Sequence, residues 1–214
     1  CGIPSSEVRE KKKEVLEKYE NTEMGRLIIK EYPTGSASVM TIRSHLEKLS
    51  MKSFVPHVII VDYADIMRST RSYDSLRHEL KLVYEELRNL AMDLNVPIWT
   101  ASQANRDSAN SDIVGLENMS EAYGKAMVAD VVVSLSRKPT EKATSSGRLF
   151  VAKNRAGKDG IVFPLDIDTA KSTFKILDES ALTLDEAVKQ TNTEMKQLLK
   201  KKWNEVNGGA DREG

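Results

Sequence analysis

An aspartate that directly follows a run of apolar residues is the first feature of this sequence with a chemistry of its own. Residues 58–61 are Val-Ile-Ile-Val, and Asp62 comes next. A continuous apolar run is typical of a strand that is buried on both faces of a parallel sheet. Asp62 would then lie at the carboxyl edge, where open α/β sheets bind their ligands. There a carboxylate can hold Mg²⁺ through water beside nucleotide phosphates, whereas the alternative interpretation is a simple helix or turn cap.

A polar pair follows the next apolar stretch. Residues 98–101 are Ile-Trp-Thr-Ala, and Ser102 and Gln103 come directly after them. If this stretch is a strand parallel to the first, both carboxyl ends lie at the same edge, which brings the pair close to Asp62. The Gln103 amide can donate and accept hydrogen bonds, so it can sense a γ-phosphate or orient a water molecule. The alternative is a glutamine in an ordinary loop.

Two cations lie on a glycine-bearing segment further along the chain. Residues 152–160 read AKNRAGKDG and contain Lys153 and Arg155. Two cations on a turn between strands can clamp a phosphate, and the planar guanidinium of arginine does so through two hydrogen bonds. The alternative is a solvated hairpin tip. Gly157 and Lys158 are not a P-loop, because the leading glycine and the serine or threonine after the lysine are missing.

An alternation of strands and helices would position these groups. Apolar spacing predicts an exposed helix within residues 8–19 and helices over 39–49 and 76–94. Buried strands are expected at 27–29, 58–61, 98–101 and 131–133, and antiparallel strands at 149–152, 161–165 and 174–176. The fold class is therefore predicted as α/β, with a mostly parallel sheet flanked by helices and antiparallel strands at one edge.

Composition sets the remaining limits. The 214 residues are 40% hydrophobic and 30% charged, as in an ordinary globular protein that buries a core. The 32 basic and 32 acidic side chains cancel, so bulk charge gives no argument for nucleic acid and only a local basic patch could supply one. A single cysteine, Cys1, excludes a disulfide framework and a thiolate metal cluster. No membrane-spanning stretch or signal peptide is evident, so we expect no membrane partner and a cytoplasmic location.

The motifs together resemble one family. Their order along the chain is similar to that of the DnaB-type hexameric replicative helicases, a branch of the RecA-fold motors: VIIVDYADIM, LAMDLNVP, IWTASQANR and AKNRAGKDG. GRLIIKEYPTG followed by SFVPHVIIVDY resembles particularly the helicases of T-even bacteriophages, and the resemblance covers residues 25–177. It implies a RecA-like fold and an ATP- and Mg²⁺-dependent motor that unwinds duplex DNA. Such motors translocate on single-stranded DNA as homo-hexamers, with primase and a helicase loader as candidate further partners.

The resemblance also implies roles for the residues at the sheet edge and on the turn. Asp62 resembles the magnesium-associated aspartate of the Walker B motif. Gln103, with Ser102 beside it, resembles the sensor that couples the nucleotide state to the DNA loops. Lys153 and Arg155 resemble the basic pair that is offered to the ATP of the neighbouring subunit, with Arg155 as the arginine finger.

Two loops take the places at which the family holds single-stranded DNA. The loop over residues 68–75 follows the Walker B strand, and the loop over residues 106–125 follows the sensor strand. The family's usual arginine before the loop glutamate is Ser120 here. Backbone amides and basic groups at these places would bind phosphates without reading base sequence. The residues that the resemblance assigns to DNA binding are Arg68, Arg71, Arg106, Glu121, Gly124 and Lys125.

The absence of one motif shapes the expected activity. The sequence contains no Gly-x-x-x-x-Gly-Lys-Ser/Thr loop and opens on Cys1 rather than methionine. We therefore expect the P-loop, the catalytic glutamate and a primase-interacting domain to lie upstream. We also expect the chain by itself not to hydrolyse ATP. The predicted division is a charged helical lead-in (1–24), the C-terminal part of a RecA-like ATPase domain (25–180), a C-terminal helix (181–206) and a disordered tail (207–214).

Two other functions remain open at this point. A recombinase or a clock-type ATPase would keep the RecA fold, and the arginine-finger hairpin after the last core strands favours the helicase over both. A module without catalytic activity would keep only the assembly surfaces of the fold. That last alternative requires a natural gene that begins near Cys1.

Overall fold

The computed structural model describes residues 3–21, 25–104, 111, 113–116, 123–177 and 182–183. The predicted helix within 184–203, the predicted tail 207–214, and both Arg106 and Glu121 lie outside the described residues. Within the described part of the chain, no helix is long and apolar enough to cross a membrane.

Four α-helices and three short 3₁₀ segments are present in this part of the chain. The helices are α1 (Lys12–Glu20), α2 (Val39–Ser50), α3 (Leu76–Leu94) and α4 (Tyr123–Val128). The 3₁₀ segments are Ser5–Glu7, Ala64–Ile66 and Pro139–Thr144. Helix α2 begins with a capping box, in which the side chains of Ser38 and Thr41 each bind the backbone N–H of the other. Helix α3 ends at Asn95, whose φ of 51° is the left-handed conformation that commonly closes a helix.

The strands form two sheets of different character. The first sheet pairs β1 (Ile59–Val61) with β2 (Ile98–Thr100) in parallel. The second sheet has the antiparallel order β3-β4-β5-β6, and β7 also pairs with β5. Its strands are β3 (Val131–Ser136), β4 (Ser146–Asn154), β5 (Ile161–Asp168), β6 (Thr173–Ile176) and β7 (Leu182–Thr183).

Helix α3 supplies most of the main core. Its apolar positions recur at steps of three and four, so they share one face of the helix. That face packs against Val39 of α2 and against Ala64, which is fully buried after β1. The buried residues of α3 are Leu80, Val83, Tyr84, Leu87 and Leu90. The helix therefore fixes the segment that follows β1.

The sheet differs from the predicted one in two respects. Parallel pairing among the described residues is confined to β1 and β2, because β3 turns back through residues 137–145 and pairs antiparallel with β4. The predicted burial of the first strand on both faces is also wrong for these residues, since Ile60 is 74% exposed beside Trp99 at 53%. No described element covers that face.

The predicted strand at residues 27–29 is absent, and the segment belongs to neither a helix nor a strand. Leu27 and Ile29 are 74% and 77% exposed. Strand pairing needs a hydrogen-bonding neighbour, and none of the described residues provides one there. The prediction of a buried strand is therefore wrong for this segment among the described residues.

Candidate functional site

A threonine joins the carboxyl ends of the two parallel strands. Val61 lies opposite Thr100 in the register of the sheet. The Thr100 hydroxyl donates to the carbonyl oxygen of Val61 at 2.9 Å and accepts from the backbone N–H of Ala64 at 2.9 Å. This side chain satisfies one backbone group at the end of β1 and one on the segment that follows it. The position of Asp62, between those groups, is thereby tied to β2.

Asp62 and Gln103 lie at the same edge, as the sequence predicts. The Gln103 amide donates to the Tyr63 hydroxyl at 3.3 Å. Asp62 is exposed, and its carboxylate has no hydrogen bond or ion pair with any residue that the structure describes. An unpaired carboxylate at the carboxyl edge of a parallel sheet is open to a ligand, and Gln103 adjoins it through Tyr63.

A second aspartate, Asp65, is the centre of a largely buried polar network. One of its carboxylate oxygens, Oδ1, lies 2.8 Å from the Lys125 ammonium and accepts the Tyr84 hydroxyl at 2.7 Å. The other, Oδ2, accepts the Ser102 hydroxyl at 3.0 Å. The Lys125 side chain is 3% exposed and that of Asp65 is 17% exposed. The network joins the segment after β1 to α3, to the end of β2 and to α4.

The environment of Tyr84 reflects this burial. Burial first, and then the hydrogen bond to Asp65, raises the pKa of the Tyr84 phenol well above its ordinary value. The Lys125 ammonium also lies 5.6 Å from the centre of the Tyr84 ring, in cation–π geometry. The phenol therefore stays protonated and donates to the carboxylate.

Sequence reasoning missed Asp65 and Tyr84. A usable signal was present for Tyr84, which lies on the apolar face of α3 between Leu80 and Leu87. A phenol on a buried face needs a hydrogen-bond partner. No local pattern pointed to Asp65 as that partner.

The basic pair lies on the other sheet. Lys153, on β4, donates to the carbonyl oxygens of Ala126 and Met127 at 2.9 and 3.1 Å, so it binds the C-terminal end of α4. Burial, and then the charge of Arg155, lowers the pKa of Lys153. Arg155 lies on the turn between β4 and β5, its side chain 54% exposed and its Nε 3.5 Å from the carboxylate of Asp130. Lys153 is thus anchored, whereas the Arg155 guanidinium faces solvent.

The residues predicted to bind DNA differ in accessibility. Arg68 and Arg71 are exposed on the loop after the Ala64–Ile66 segment. Gly124 lies against Lys81, whose Cδ would be 3.7 Å from an added Cβ. Lys125 is buried and paired with Asp65, so this arrangement directs its charge into the protein rather than toward a DNA strand.

The fit of a magnesium nucleotide can be judged from these residues. No group of three or more histidine, cysteine or acidic side chains that could hold a metal ion occurs among the described residues. A single carboxylate nevertheless suits magnesium, which keeps several waters and binds through one or two carboxylates and the phosphates of its nucleotide. Asp62 would hold the ion in that way, and the ion would neutralise phosphate charge.

Comparison with known proteins assigns the family. The family profile described as "DnaB-like helicase C terminal domain" matches residues 3–176. The chain belongs to this family. The resemblance found in the sequence motifs is thereby confirmed.

DnaB-like relatives are similar over part of their length. A protein of Enterobacteria phage T4 named "DnaB-like replicative helicase" is 35% identical over 151 residues, which are 66% of this chain and 31% of the phage protein. The "Replicative DNA helicase DnaB" of Leifsonia xyli is 28% identical over 126 residues, which are 56% of this chain and 27% of that protein. The chain therefore spans about a third of the length of the curated relatives it matches.

Two solved structures share the fold. One is described as an ATPase domain, and it superposes with a TM-score of 0.67 at 18% identity, covering 82% of this chain and 66% of that one. The other is a DnaB-like replicative helicase, solved to show its interactions with primase. It superposes with a TM-score of 0.58 at 20% identity, covering 66% of this chain and 36% of that one. The chain thus shares an α/β fold with these two structures.

Proposed function

We propose that this chain is the C-terminal part of the motor of an ATP-dependent replicative DNA helicase. The observation that carries the proposal is that Asp62 and Gln103 follow β1 and β2 at the same carboxyl edge, where Gln103 binds the neighbour of Asp62, Tyr63, and Thr100 joins the strands. The family membership gives that edge its meaning, since DnaB-like relatives are named replicative helicases.

The nucleotide of the subunit itself would lie at this edge. Asp62 would hold Mg²⁺, and Gln103 would respond to the γ-phosphate. Ser102 is committed to Asp65, so we assign it a positioning role beside Gln103 rather than a direct phosphate contact. A movement of Gln103 would be passed to Tyr63, to which its amide is hydrogen-bonded. Ser102 would connect the same edge to α4, because it is hydrogen-bonded to Asp65, which is paired with Lys125.

The basic turn would serve the nucleotide of a neighbouring subunit. The Arg155 guanidinium is exposed and held loosely by Asp130, which suits a group that reaches across an interface. Lys153 binds two carbonyl oxygens of α4 and would hold the base of the turn in place. An arginine that acts in trans requires a ring or another closed assembly, and we propose the homo-hexamer.

Single-stranded DNA would follow the loops after β1 and β2. Arg68 and Arg71 are exposed there and would contact phosphates, as would Arg106 in the segment outside the described residues. We retain Glu121 and Gly124 as candidate DNA contacts, with Gly124 in the first turn of α4. We assign Lys125 to the internal ion pair instead.

The uncovered face of β1 and β2 supports the proposed incomplete RecA-like domain. Ile60 and Trp99 lie side by side on it and are mostly exposed. Burial of a large apolar side chain stabilises a fold by roughly 1.5 to 3 kcal/mol, so such a face favours a covering element. We propose that the P-loop portion of the same domain covers it. The division at residues 24, 180 and 206, the primase and loader contacts and the cytoplasmic location remain parts of this proposal.

The reading frame upstream of the Cys1 codon gives the first test. An in-frame P-loop roughly 70 to 100 residues upstream, as the βαβ spacing of such folds requires, would support the motor. The chain alone is expected to show no ATP turnover above that of its Arg155→Ala variant. A start codon next to Cys1 with no P-loop would contradict the proposal.

Activity of the complete gene product gives the second test. Arg155→Ala should lower ATP turnover by about 10³-fold or more, while nucleotide binding persists, because an arginine finger acts on the transition state. Arg155→Lys keeps the charge but loses the planar fork, so it should rescue little. Unwinding of a forked duplex without strand exchange would separate a helicase from a recombinase.

A further inference from the structure

A groove along α2 carries a concentration of positive charge. It has a volume of about 710 Å³ and opens to solvent beside the segment that precedes the helix. Lys30, Lys48 and Arg68 contribute cations, and no carboxylate of the described residues lines it. The other lining residues are Tyr32, Ser38, Met40, Thr41, Ser44 and His45. A chain of zero net charge thus has a local surface of one sign.

The cations of the groove are unpaired, unlike several others nearby. Lys30, Lys48 and Arg68 form no ion pair with any described residue, and all three are exposed. On another side of the same helix, Arg43 is paired with Asp93. Lys125 is neutralised in the interior. Like charges that gather without counter-charges are costly to the fold and become favourable when an anion binds.

The fold holds these groups in place from two directions. Thr41, Ser44, His45 and Lys48 follow the spacing of one helix face, and the neighbouring positions Ile42 and Leu46 pack against the core. The backbone N–H of Arg68 donates to the carbonyl oxygen of Ala37 at 2.8 Å, which places the loop after β1 against the start of the helix. The groove is therefore built by packing and backbone hydrogen bonds.

An aromatic ring adjoins the cations of the groove. The Lys30 ammonium lies 5.6 Å from the centre of the Tyr32 ring, and both residues line the groove. The groove therefore offers an aromatic surface beside its positive charges.

We propose that this groove binds the phosphodiester backbone of single-stranded DNA as a contact surface additional to the loops. The lining positions Thr41 and Lys48 lie seven residue steps apart on α2, which is about 10 Å at roughly 1.5 Å per step. Lys30 and Arg68 line the same groove from two other segments, so the groove is longer than a single phosphate. An open, cationic track with hydroxyl donors and an adjoining aromatic ring has the chemistry of a sequence-independent strand site. Through Arg68 the track continues into the loop at residues 68–75. The inference rests on the proposed function for the choice of single-stranded DNA.

The test is fluorescence anisotropy of a labelled oligothymidylate with the purified chain, over a range of salt concentrations. The double variant Lys30→Gln/Lys48→Gln removes two phosphate contacts. Each contact contributes about 0.7 to the slope of log affinity against log salt for a single strand. The slope should therefore fall by about 1.4, and affinity at about 0.1 M salt should fall by roughly 20-fold.

A matched control separates this effect from bulk charge. Lys12→Gln/Lys13→Gln changes the net charge equally on an exposed face of α1 and should bind like the unaltered chain. Thermal unfolding should show that both double variants keep the fold. Equal DNA affinities and equal salt slopes for the two variants would contradict DNA binding by the groove. A failure of the unaltered chain to bind the oligothymidylate at low salt would contradict it as well.

Other outcomes distinguish the groove from other occupants and from the proposed function. Displacement of the strand by inorganic phosphate at equal phosphate concentration would mean a small-anion site and would overturn the proposal. The proposal would also be overturned if the unaltered chain self-associates and the Lys30→Gln/Lys48→Gln variant loses that self-association but still binds DNA. If Arg71→Gln weakens binding and the groove variant does not, the groove fails and the proposed function stands. If the groove variant weakens DNA binding but the gene proves to lack a P-loop, the groove stands and the proposed function fails.

Discussion

Two charged regions begin within three residues of each other on the segment after β1 and differ in how their charges are used. At Asp65 a carboxylate and the Lys125 ammonium are enclosed with Tyr84 and Ser102, and the lysine is 3% exposed. At Arg68 the segment enters a groove of exposed cations with no carboxylate among its described lining residues. In the first region the charges serve the fold, and in the second they are available to a ligand. Residue type and motif position do not distinguish these uses, whereas burial and pairing do.

The largest effect is expected from breaking the buried pair. Asp65→Leu leaves the Lys125 ammonium enclosed without its counter-charge. Removing one partner of a buried ion pair costs about 3 to 5 kcal/mol of unfolding free energy. Urea denaturation of the variant and the unaltered chain measures this loss.

A compensating variant serves as the control for that experiment. Asp65→Leu/Lys125→Met replaces the pair with apolar side chains and should recover most of the lost stability, since such replacements are often neutral or stabilising. If Asp65→Leu alone lowers the free energy of unfolding by less than about 1 kcal/mol, the pair is open to solvent, because breaking an enclosed pair costs more than that.

The second effect concerns the join between β1 and β2. Thr100→Val keeps the branched shape but removes the hydroxyl that binds the Val61 carbonyl and the Ala64 N–H. Two backbone groups would lose a partner next to a fully buried alanine, at a cost of about 1 to 3 kcal/mol. Thr100→Ser, which keeps the hydroxyl, is the matched control and should lose clearly less. Equal losses would assign the effect to the methyl group.

The third effect depends on pH and tests the enclosure of the network. Burial and Asp65 raise the pKa of Tyr84, so the folded chain keeps a proton that the unfolded chain loses near about pH 10. The unfolding free energy should therefore fall as the pH rises above about 10, and Tyr84→Phe should lose less over that range. At neutral pH the variant should cost about 1 kcal/mol for one hydrogen bond. Parallel pH profiles for the two proteins would contradict the enclosure.

The smallest effect is expected at Asp168, whose ion pair with Lys171 lies at an exposed turn and so contrasts with the enclosed pair of Asp65 and Lys125. Asp168 accepts from the backbone N–H groups of Ala170 and Lys171 and pairs with the Lys171 ammonium at 3.0 Å. These contacts, the side-chain bond to Lys171 first, lower the pKa of Asp168. Its contribution to stability is present above about pH 4 and is lost as the pH falls through the lowered pKa. Asp168→Asn should remove that acid dependence, and an unchanged acid profile would show that the contacts do not persist in solution.

The sequence predicted the elements whose signals are local. The apolar spacing of α3, the runs of β1 and β2 and the antiparallel β4 and β5 all appear in the structure. The ends of β1 and β2 lie at one edge, because parallel strands end together, and Gln103 there binds Tyr63 beside Asp62. The roles of Asp62 and Gln103 stay predictions.

The remaining features depend on partners distant in sequence. Residues 27–29 have strand-like composition, but pairing requires a neighbour that composition cannot supply. Lys125 has the residue type of a surface contact, and only the approach of Asp65, sixty residues earlier, encloses it. The groove joins Lys30, Lys48 and Arg68 from three segments, none of which forms a motif by itself.

One measurement tests the division between internal and ligand-facing charges most directly: oligothymidylate binding by Asp65→Leu/Lys125→Met beside Lys30→Gln/Lys48→Gln at the same salt concentration. We predict that the first variant binds like the unaltered chain, because its missing lysine never faced the strand, while the affinity of the second is weakened by roughly 20-fold. The contradicting result is a folded Asp65→Leu/Lys125→Met chain that loses DNA binding while the groove variant retains it.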